Sequence, residues 1–465
     1  MSARDMGKAF SSLRSEGVGK LLMESVRQQD GIAVYYSMPS IHAASILGYH
    51  QRSSDDDDEV PDKGRLSFPA NRDGWVKVIK DLGLTFDFVS SEDVAKNPIS
   101  TDRYKVLILP LTFALSSSEI QHIEDFVSRG GVVIADAAPG LMDQHCAWET
   151  SGALSNLFGI AAPPSDKRNL NLLSGDIHLK PAATQFGISS NNLTDFRVAE
   201  SELKASSAQA LFQIGNTDTA FFHTVGQGWT IFLNTTLDQY PKMRASQFGG
   251  SGYRELMRKI LERAGVKPSI KISSAHAKPL AQAQIARYTF GESEILAVVK
   301  DNVAVAGIVG QDGVTTYKDS DLGQVAKQEI TINLPRKMYV ADVRTGQQFG
   351  FTDIVHTSIL VGDALVVGLS SNQNKIAVQG PPSAKPGEHV LFTITSNQPT
   401  TALVRVQTLG PDGAGLPPYS ANVMLHNRSG TFILPFALND LPGKYTIKAT
   451  DVVTGASFQK TIELK

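Results

Sequence analysis

The segment 105–135 constrains this chain most, because it spells out strand, helix and strand with little room between them. Residues 105–111 (KVLILPL) form a short continuous apolar run, as expected for a strand buried on both faces. Residues 116–129 follow with helical spacing. Ile120, Ile123, Phe126 and Val127 share one face, and a serine cap precedes Glu119. Gly130-Gly131 stops that helix, and residues 132–135 (VVIA) begin the next buried strand. In α/β folds, ligands and nucleophiles sit just past the carboxyl ends of such strands. Here the chain runs on through Asp136, Ala137, Ala138, Pro139 and Gly140, with no nucleophile at the turn.

The flanking sequence extends this pattern. Residues before Gly31 read as a helix, with Phe10, Leu13, Val18, Leu21, Leu22 and Val26 in a loose apolar stripe interrupted by Gly17 and Gly19. Residues 32–36 (IAVYY) read as a buried strand, 75–82 as a helix closed by Gly83, 85–89 as a strand and 92–96 as a short helix. Residues 53–62 (SSDDDDEVPD) read as a solvated acidic loop, because consecutive aspartates lack the alternating ligand spacing of a calcium loop. Repeated β-α-β units predict a doubly wound, mainly parallel sheet with helices on both faces. From 167 to 234 the pattern turns to short alternating strands, with a hairpin over 220–233 turned at 226–228. Residues 253–264 are an amphipathic helix, ended by Gly265 and followed by Pro268. That is the first domain boundary.

Helical periodicity disappears after Pro268. Segments 285–290, 295–299, 303–309, 329–334, 338–343 and 364–369 read as strands of a small β-sandwich. A stiff Pro/Gly run at 380–387 is the second boundary. Beyond it, strands at 390–395, 401–408, 420–425, 430–434, 443–450 and 457–464 have the rhythm of an immunoglobulin-like or fibronectin-like sandwich. The predicted fold class is therefore α/β then all-β. Residues 1–30 form an N-terminal helix or linker, 31–268 the α/β domain, and 269–379 and 380–465 two β-sandwiches. Both β-domains carry an Asp-x-x-Thr-Gly turn, at 342–346 and 451–455, which common hairpin chemistry accounts for.

Composition excludes several function classes. With 465 residues the chain is too long for one core. A formal net charge of -2 gives no electrostatic reason to expect nucleic acid or an anionic membrane as partner. Cys146 is the only cysteine, so neither an intrachain disulfide nor a cysteine-based metal cluster can form. No apolar run reaches membrane-spanning length, and the start has no signal-peptide core, which makes the cytoplasm the default compartment. No dinucleotide or phosphate loop and no zinc spacing appears, so no cofactor and no metal are predicted.

Five stretches together carry a family resemblance: 32–40 (IAVYYSMPS), 104–110 (YKVLILP), the Gly130-Gly131 stop, 226–234 (GQGWTIFLN) and 264–268 (AGVKP). They are similar to the trimerisation domain of family 42 glycoside hydrolases, the β-galactosidases, over about residues 14–268. The resemblance implies a flavodoxin-like sheet of the class I glutamine amidotransferase type, without catalytic function. An amidotransferase would place a cysteine in a tight elbow near residues 136–143, and this chain has none there. Family enzymes carry both catalytic glutamates on a (β/α)8 barrel ahead of this domain, and only residues 1–30 correspond to its exit helix. What the resemblance implies is the non-catalytic half of a glycosidase-like polypeptide, a homo-oligomer with a trimer favoured, and no catalytic residue in this chain.

Candidate chemistry is sparse. Glycoside hydrolysis needs two carboxyl groups facing each other, and no local spacing provides such a pair. Asp136 and Asp143 lie on the loop past a parallel strand and are the best-placed carboxylates, although loop capping is their plainer reading. His145 adjoins Cys146, but neighbours in sequence point in different directions and make a poor nucleophile–base pair. Trp148 is the one tryptophan retained as a carbohydrate platform; Trp229 is expected in the core. Asp136, Asp143, His145 and Trp148 are therefore the ligand-binding candidates. His122 is expected to face solvent, and the Asn-x-Ser/Thr triplets at Asn192, Asn234 and Asn427 are assigned no glycan. Three functions remain: an assembly segment of a glycoside-hydrolase-like protein, an amidotransferase-like or other hydrolase using the 136–146 loop, and a carbohydrate-binding or cell-surface interaction module. The missing nucleophile favours the first.

Overall fold

The computed structural model describes residues 13–49, 66–168, 170, 173–175, 177–188, 196–244, 250–274, 279–280, 282–300, 327–360, 363–398 and 401–465. The acidic loop at 53–62, the strand expected at 303–309, Phe10 and Asn192 lie outside these residues.

Among the described residues, helical backbone at 13–15 is broken at 16–17 before a short helix α1 (Val18–Met23) and a strand β1 (Val26–Gln28), in place of the continuous helix expected before Gly31. The next segment builds an α/β layer: β2 (Ile32–Tyr36), α2 (Met38–Ile46), α3 (Phe68–Asp81), β3 (Asp87–Ser90), α4 (Ser91–Lys96), β4 (Val106–Leu109), α5 (Ser117–Ser128) and β5 (Val132–Ala135). It closes with β6 (Ile177–Leu179), β7 (Gln209–Ile214), β8 (Thr217–Val225), β9 (Gly228–Leu233) and α6 (Ser251–Arg263). These strands form one eight-stranded sheet in the order β3-β2-β4-β5-β9-β8-β7-β6. The first five are mutually parallel, and β8, β7 and β6 follow, each antiparallel to the strand before it in that order.

The period-two pleat explains why the inner parallel strands β2, β4 and β5 are apolar throughout, while the edge strand β3 is not. Ile32, Val34, Val106, Ile108, Val132 and Ile134 point into a core with Trp75, Val78 and Ile79 of α3 and Leu256 and Ile260 of α6. The alternate residues Ala33, Tyr35, Leu107, Leu109, Val133 and Ala135 point into a second core with Ile123 and Phe126 of α5. Helix α5 starts with a capping box: the Ser116 amide donates to the Glu119 carboxylate at 2.6 Å, and the Glu119 amide donates to Ser116 Oγ at 3.3 Å. Its end requires glycine, because a Cβ on Gly131 would lie 2.4 Å from the Phe126 ring and one on Gly228 2.2 Å from the Gly131 carbonyl. His122 is half-buried with Nδ1 2.6 Å from the Val94 carbonyl, so it ties α5 to α4 instead of facing solvent.

The second sheet contains β10 (Lys271–Ser274), β11 (Ala283–Phe290), β12 (Ser293–Lys300), β13 (Gln328–Asp342), β14 (Gln348–Ile359) and β15 (Ala364–Ser370). With β1 it is a single seven-stranded sheet in the order β1-β11-β12-β15-β13-β10, with β14 paired to β13. Long β13 lets one sheet fold over its own core: its first half pairs β10 and its second half pairs β15. Strand β1 joins the other edge, with Val26, Arg27 and Gln28 opposite Thr289, Tyr288 and Arg287. This part is therefore built from sequence on both sides of the α/β layer.

The last part is a sandwich of a three-stranded and a five-stranded sheet around one core. Its strands are β16 (Ile376–Gln379), β17 (Ser383–Ala384), β18 (His389–Ser396), β19 (Ala402–Leu409), β20 (Ala421–Leu425), β21 (Ser429–Pro435), β22 (Gly443–Asp451) and β23 (Ser457–Leu464). Strand β16 precedes the Pro/Gly run, yet it pairs with β18 and buries Ile376 and Val378 in this core. Helix α1 wedges between the two β-parts, where Val18 and Leu21 meet Phe290, Ile295, Leu403 and Val452. The two Asp-x-x-Thr-Gly turns have matching geometry. Asp342 Oδ1 accepts from the Arg344 and Thr345 amides, Asp451 Oδ1 accepts from the Val453 and Thr454 amides, and Gly346 and Gly455 both have positive φ.

Candidate functional site

The carboxyl ends of β4 and β5 are where an α/β sheet offers a ligand site. Asp136 follows β5 directly and is fully buried. Its carboxylate accepts from Asn71 Nδ2 at 2.6 Å, Trp75 Nε1 at 2.7 Å and the Leu111 amide at 2.5 Å. Asn71 in turn accepts the Leu237 amide at 2.6 Å. Asp136 thus fastens α3 and the β4 exit to β5. Burial pushes its carboxyl up to about 7, against the opposing pull of the Asn71, Trp75 and Leu111 donors.

Two residues on, Ala138 adopts a left-handed backbone with φ 57°. Such a conformation is strained for a residue with a Cβ and recurs at functional elbows. The Ala138 amide donates to Glu200 Oε1 at 3.1 Å. Glu200 is gripped by Arg168 through Nε at 2.6 Å and Nη2 at 2.7 Å, with both side chains almost wholly buried. Asn234 holds the Glu200 backbone from both sides, at 2.8 and 2.7 Å. The left-handed turn at Ala138 is therefore firmly supported, and its side chain is a methyl group. The space above it is filled by Ala43, Ala44, Leu111, Phe113, Leu141 and Met142, so the usual ligand crevice is an apolar plug.

Asp143, His145 and Trp148 sit together on the next loop, apart from Asp136. Met142 bridges Trp148, closing the loop. Asp143 Oδ1 accepts the His145 amide at 2.8 Å and the Ala147 amide at 2.9 Å, and these backbone donors hold its carboxyl below the usual range. The Asp143 carboxylate therefore caps its own loop. His145 is exposed, and Trp148 is 45% exposed. Cys146 has φ 64°, with Sγ 3.6 Å from the Pro39 carbonyl. Burial, then the charge of Asp143, pushes its thiol up, away from the thiolate that a nucleophile requires.

Arg168, Glu200, Asn71 and Asn234 had no signal in the sequence, since each acts on a partner far along the chain. Trp229 is half-buried beside Phe186 and Phe222, with the Arg263 guanidinium over all three rings at 4.7 to 5.9 Å. Among the described residues no group of three or more His, Cys, Asp or Glu side chains is placed to hold a metal ion. An open cleft of about 680 Å³ lies on the terminal sandwich, lined by Tyr419, Asn422, Met424, His426 and Phe432 among others. No Asp or Glu lines it, so it has no carboxyl pair for glycoside hydrolysis.

Residues 42–267 match the family model of the β-galactosidase trimerisation domain. Solved structures similar to the chain include the β-galactosidase of Bacillus circulans sp. alkalophilus, at 15% identity and a TM-score of 0.48, covering 74% of this chain and 42% of that one. The cold-adapted β-galactosidase of Rahnella sp. R3 matches at 13% identity and a TM-score of 0.48, covering 74% of this chain and 41% of that one. The chain thus spans about two fifths of the length of these relatives.

Proposed function

We propose that this chain, whose residues 42–267 match the family model of the β-galactosidase trimerisation domain, is the non-catalytic assembly and accessory segment of a glycoside-hydrolase-like protein acting in carbohydrate metabolism. The observation that carries the reading is the elbow after β5, where a supported, strained backbone presents Ala138 in place of a nucleophile. Such an elbow keeps the architecture of an amidotransferase-like domain without its chemistry. The order of the parallel strands, with β2 and β4 at the centre and β3 at the edge, supports the finer assignment as a flavodoxin-like sheet. We assign 31–268 to this domain, with two β-sandwich domains after it, the last immunoglobulin-like. Its partner is further copies of the same chain, with a trimer as the favoured state.

The test pairs activity with mass. The purified chain should hydrolyse neither an aryl galactoside nor glutamine above background, and light scattering at micromolar concentration should give a homo-oligomer. Robust turnover lost in Asp143→Ala or Cys146→Ala would replace this reading with the hydrolase one. A monomer would remove the assembly role.

A further inference from the structure

In the terminal sandwich two sheet edges face one open cleft of about 680 Å³. Among the described residues β20 pairs with β19 and β21 with β18, so each is the outer strand of its own sheet. A tight hairpin joins them: the His426 and Ser429 backbones exchange hydrogen bonds at 3.0 and 3.1 Å, and Asn427 and Arg428 have φ of 51° and 72°. The hairpin then splays, because β20 enters the five-stranded sheet and β21 the three-stranded one. Strand ladders have a period of two, so the residues in step with His426 and Ser429 turn their main-chain groups away from β19 and β18. These are Asn422 and Met424 on β20, and Thr431 and Ile433 on β21. The ends of the β18–β21 ladder fix that sense, since the Phe436 amide donates to the Glu388 carbonyl and the Ser396 amide to the Arg428 carbonyl. Lys20 Nζ donates to the Asn422 carbonyl at 3.3 Å, whereas the main-chain groups of Met424, Thr431 and Ile433 have no hydrogen-bond partner among the described residues.

We infer that this cleft binds an extended, uncharged segment of a partner protein, which adds as a strand along β21 and the facing edge of β20. The recognising chemistry is main-chain: donors and acceptors repeat at strand spacing on both walls, and an extended peptide matches them. Charge points the same way. No Lys, Arg, Asp or Glu lines the cleft, and neither strand contains one. The outer strands β3, β10 and β14 carry Asp87, Lys271 and Asp353, the kind of residue that keeps a free edge from pairing. Side chains set the register. Phe432 is buried in the core, while Ile433 is 56% exposed opposite Leu391 at 54%, so an added strand lays alternate apolar side chains beside that pair. A sugar fits less well, because it needs free polar groups converging on it. The Tyr419 hydroxyl is committed to Asp440 at 2.6 Å and Asn422 Nδ2 to the Arg14 carbonyl at 2.8 Å. The site lies outside residues 42–267 and is independent of the assembly reading.

The experiment uses the full chain and a fluorescein-labelled peptide of alternating valine and threonine with capped ends. Fluorescence anisotropy reads binding, and hydrogen exchange locates it. The expected result is saturable binding that slows exchange in 421–425 and 429–435 and is absent for the same peptide with methylated backbone nitrogens. Thr431→Pro removes an edge-facing N–H that the ladder to β18 does not use, a position where proline is tolerated. Ile433→Lys adds the missing charge. Each variant weakens binding about tenfold and keeps the parent's melting temperature, while Phe351→Glu on β14 binds like the parent. If Thr431→Pro melts early, Ile433→Lys decides alone. An absence of saturable binding, protection elsewhere in the chain, or edge variants that bind like the parent overturn the inference. Release of the peptide by lactose also overturns it and gives the cleft to a sugar. A chain mass that falls in Thr431→Pro overturns it in favour of a second copy.

Discussion

Arg244 and Asp81 form a two-point ion pair in which neither side chain is exposed: Nε reaches Oδ2 at 2.8 Å and Nη2 reaches Oδ1 at 2.5 Å. The same carboxylate accepts Tyr240 OH at 2.6 Å and the Gln282 amide at 2.8 Å. Gln282 immediately precedes β11, so the network fixes the α/β layer to the following β-part. Removing one partner strands a buried charge, which costs about 3–5 kcal/mol. Arg244→Met should therefore lower the urea midpoint sharply, and the double variant Arg244→Met with Asp81→Leu should recover part of the loss. A single variant within 1 kcal/mol of the parent, by order of magnitude, would contradict this role.

Gly74 lies inside α3, where alanine ordinarily stabilises a helix by about 1 kcal/mol. Here a Cβ would lie 2.1 Å from the Leu237 carbonyl, on a segment that Asn71 already holds. Overpacking of this kind costs about 1–3 kcal/mol. Gly74→Ala should lower the melting temperature, and a stabilised variant would show that α3 can move away from Leu237.

Asp136 gives stability a pH dependence of defined sign. In the folded chain its carboxyl holds a proton up to about pH 7, whereas the ordinary value is 3.8. Between those values unfolding releases a proton, so rising pH favours the unfolded chain. This residue's contribution to stability is complete below the lower value and falls as pH climbs to the upper one. Denaturation midpoints measured from pH 4 to 7 should show a downward component in the parent that Asp136→Asn removes. The slope is the readout, since the amide also lowers overall stability. Parallel pH profiles would refute the assignment.

The terminal sandwich should fold alone only if its first strand is kept. A fragment starting at Pro381 loses β16 and with it Ile376 and Val378, each worth about 1.5–3 kcal/mol of burial. It also loses Asn374, which is buried and donates to Asp451 Oδ2 at 2.8 Å. Residues 374–465 should give a cooperative β-type melt, and residues 381–465 a lower and broader one. Equal melts would show that β16 adds nothing to this core.

Local signals account for what was legible in the residues alone. The strand–helix–strand run to Ala135, the Ser116 cap, the Gly130-Gly131 stop and the terminal strands from 389 onward each leave a mark within a few residues, through period, capping hydroxyl or absent Cβ. Asp136 could be placed past a parallel strand, and Ala138 could be seen to lack a nucleophile. The direction of the Asp136 carboxylate could not be read, because Asn71 and Trp75, which turn it inward, lie 65 and 61 residues away. The Arg168–Glu200 pair beneath the elbow spans 32 residues with no shared pattern. Strand β1 is the sharpest case. Val26-Arg27-Gln28 has no strand signal of its own, and Gln28 finds its hydrogen-bond partner Thr289 across 261 residues. Secondary structure follows from the chain's neighbours in sequence. Which sheet edge stands open, and which buried carboxylate faces which donor, is decided only when distant segments pack.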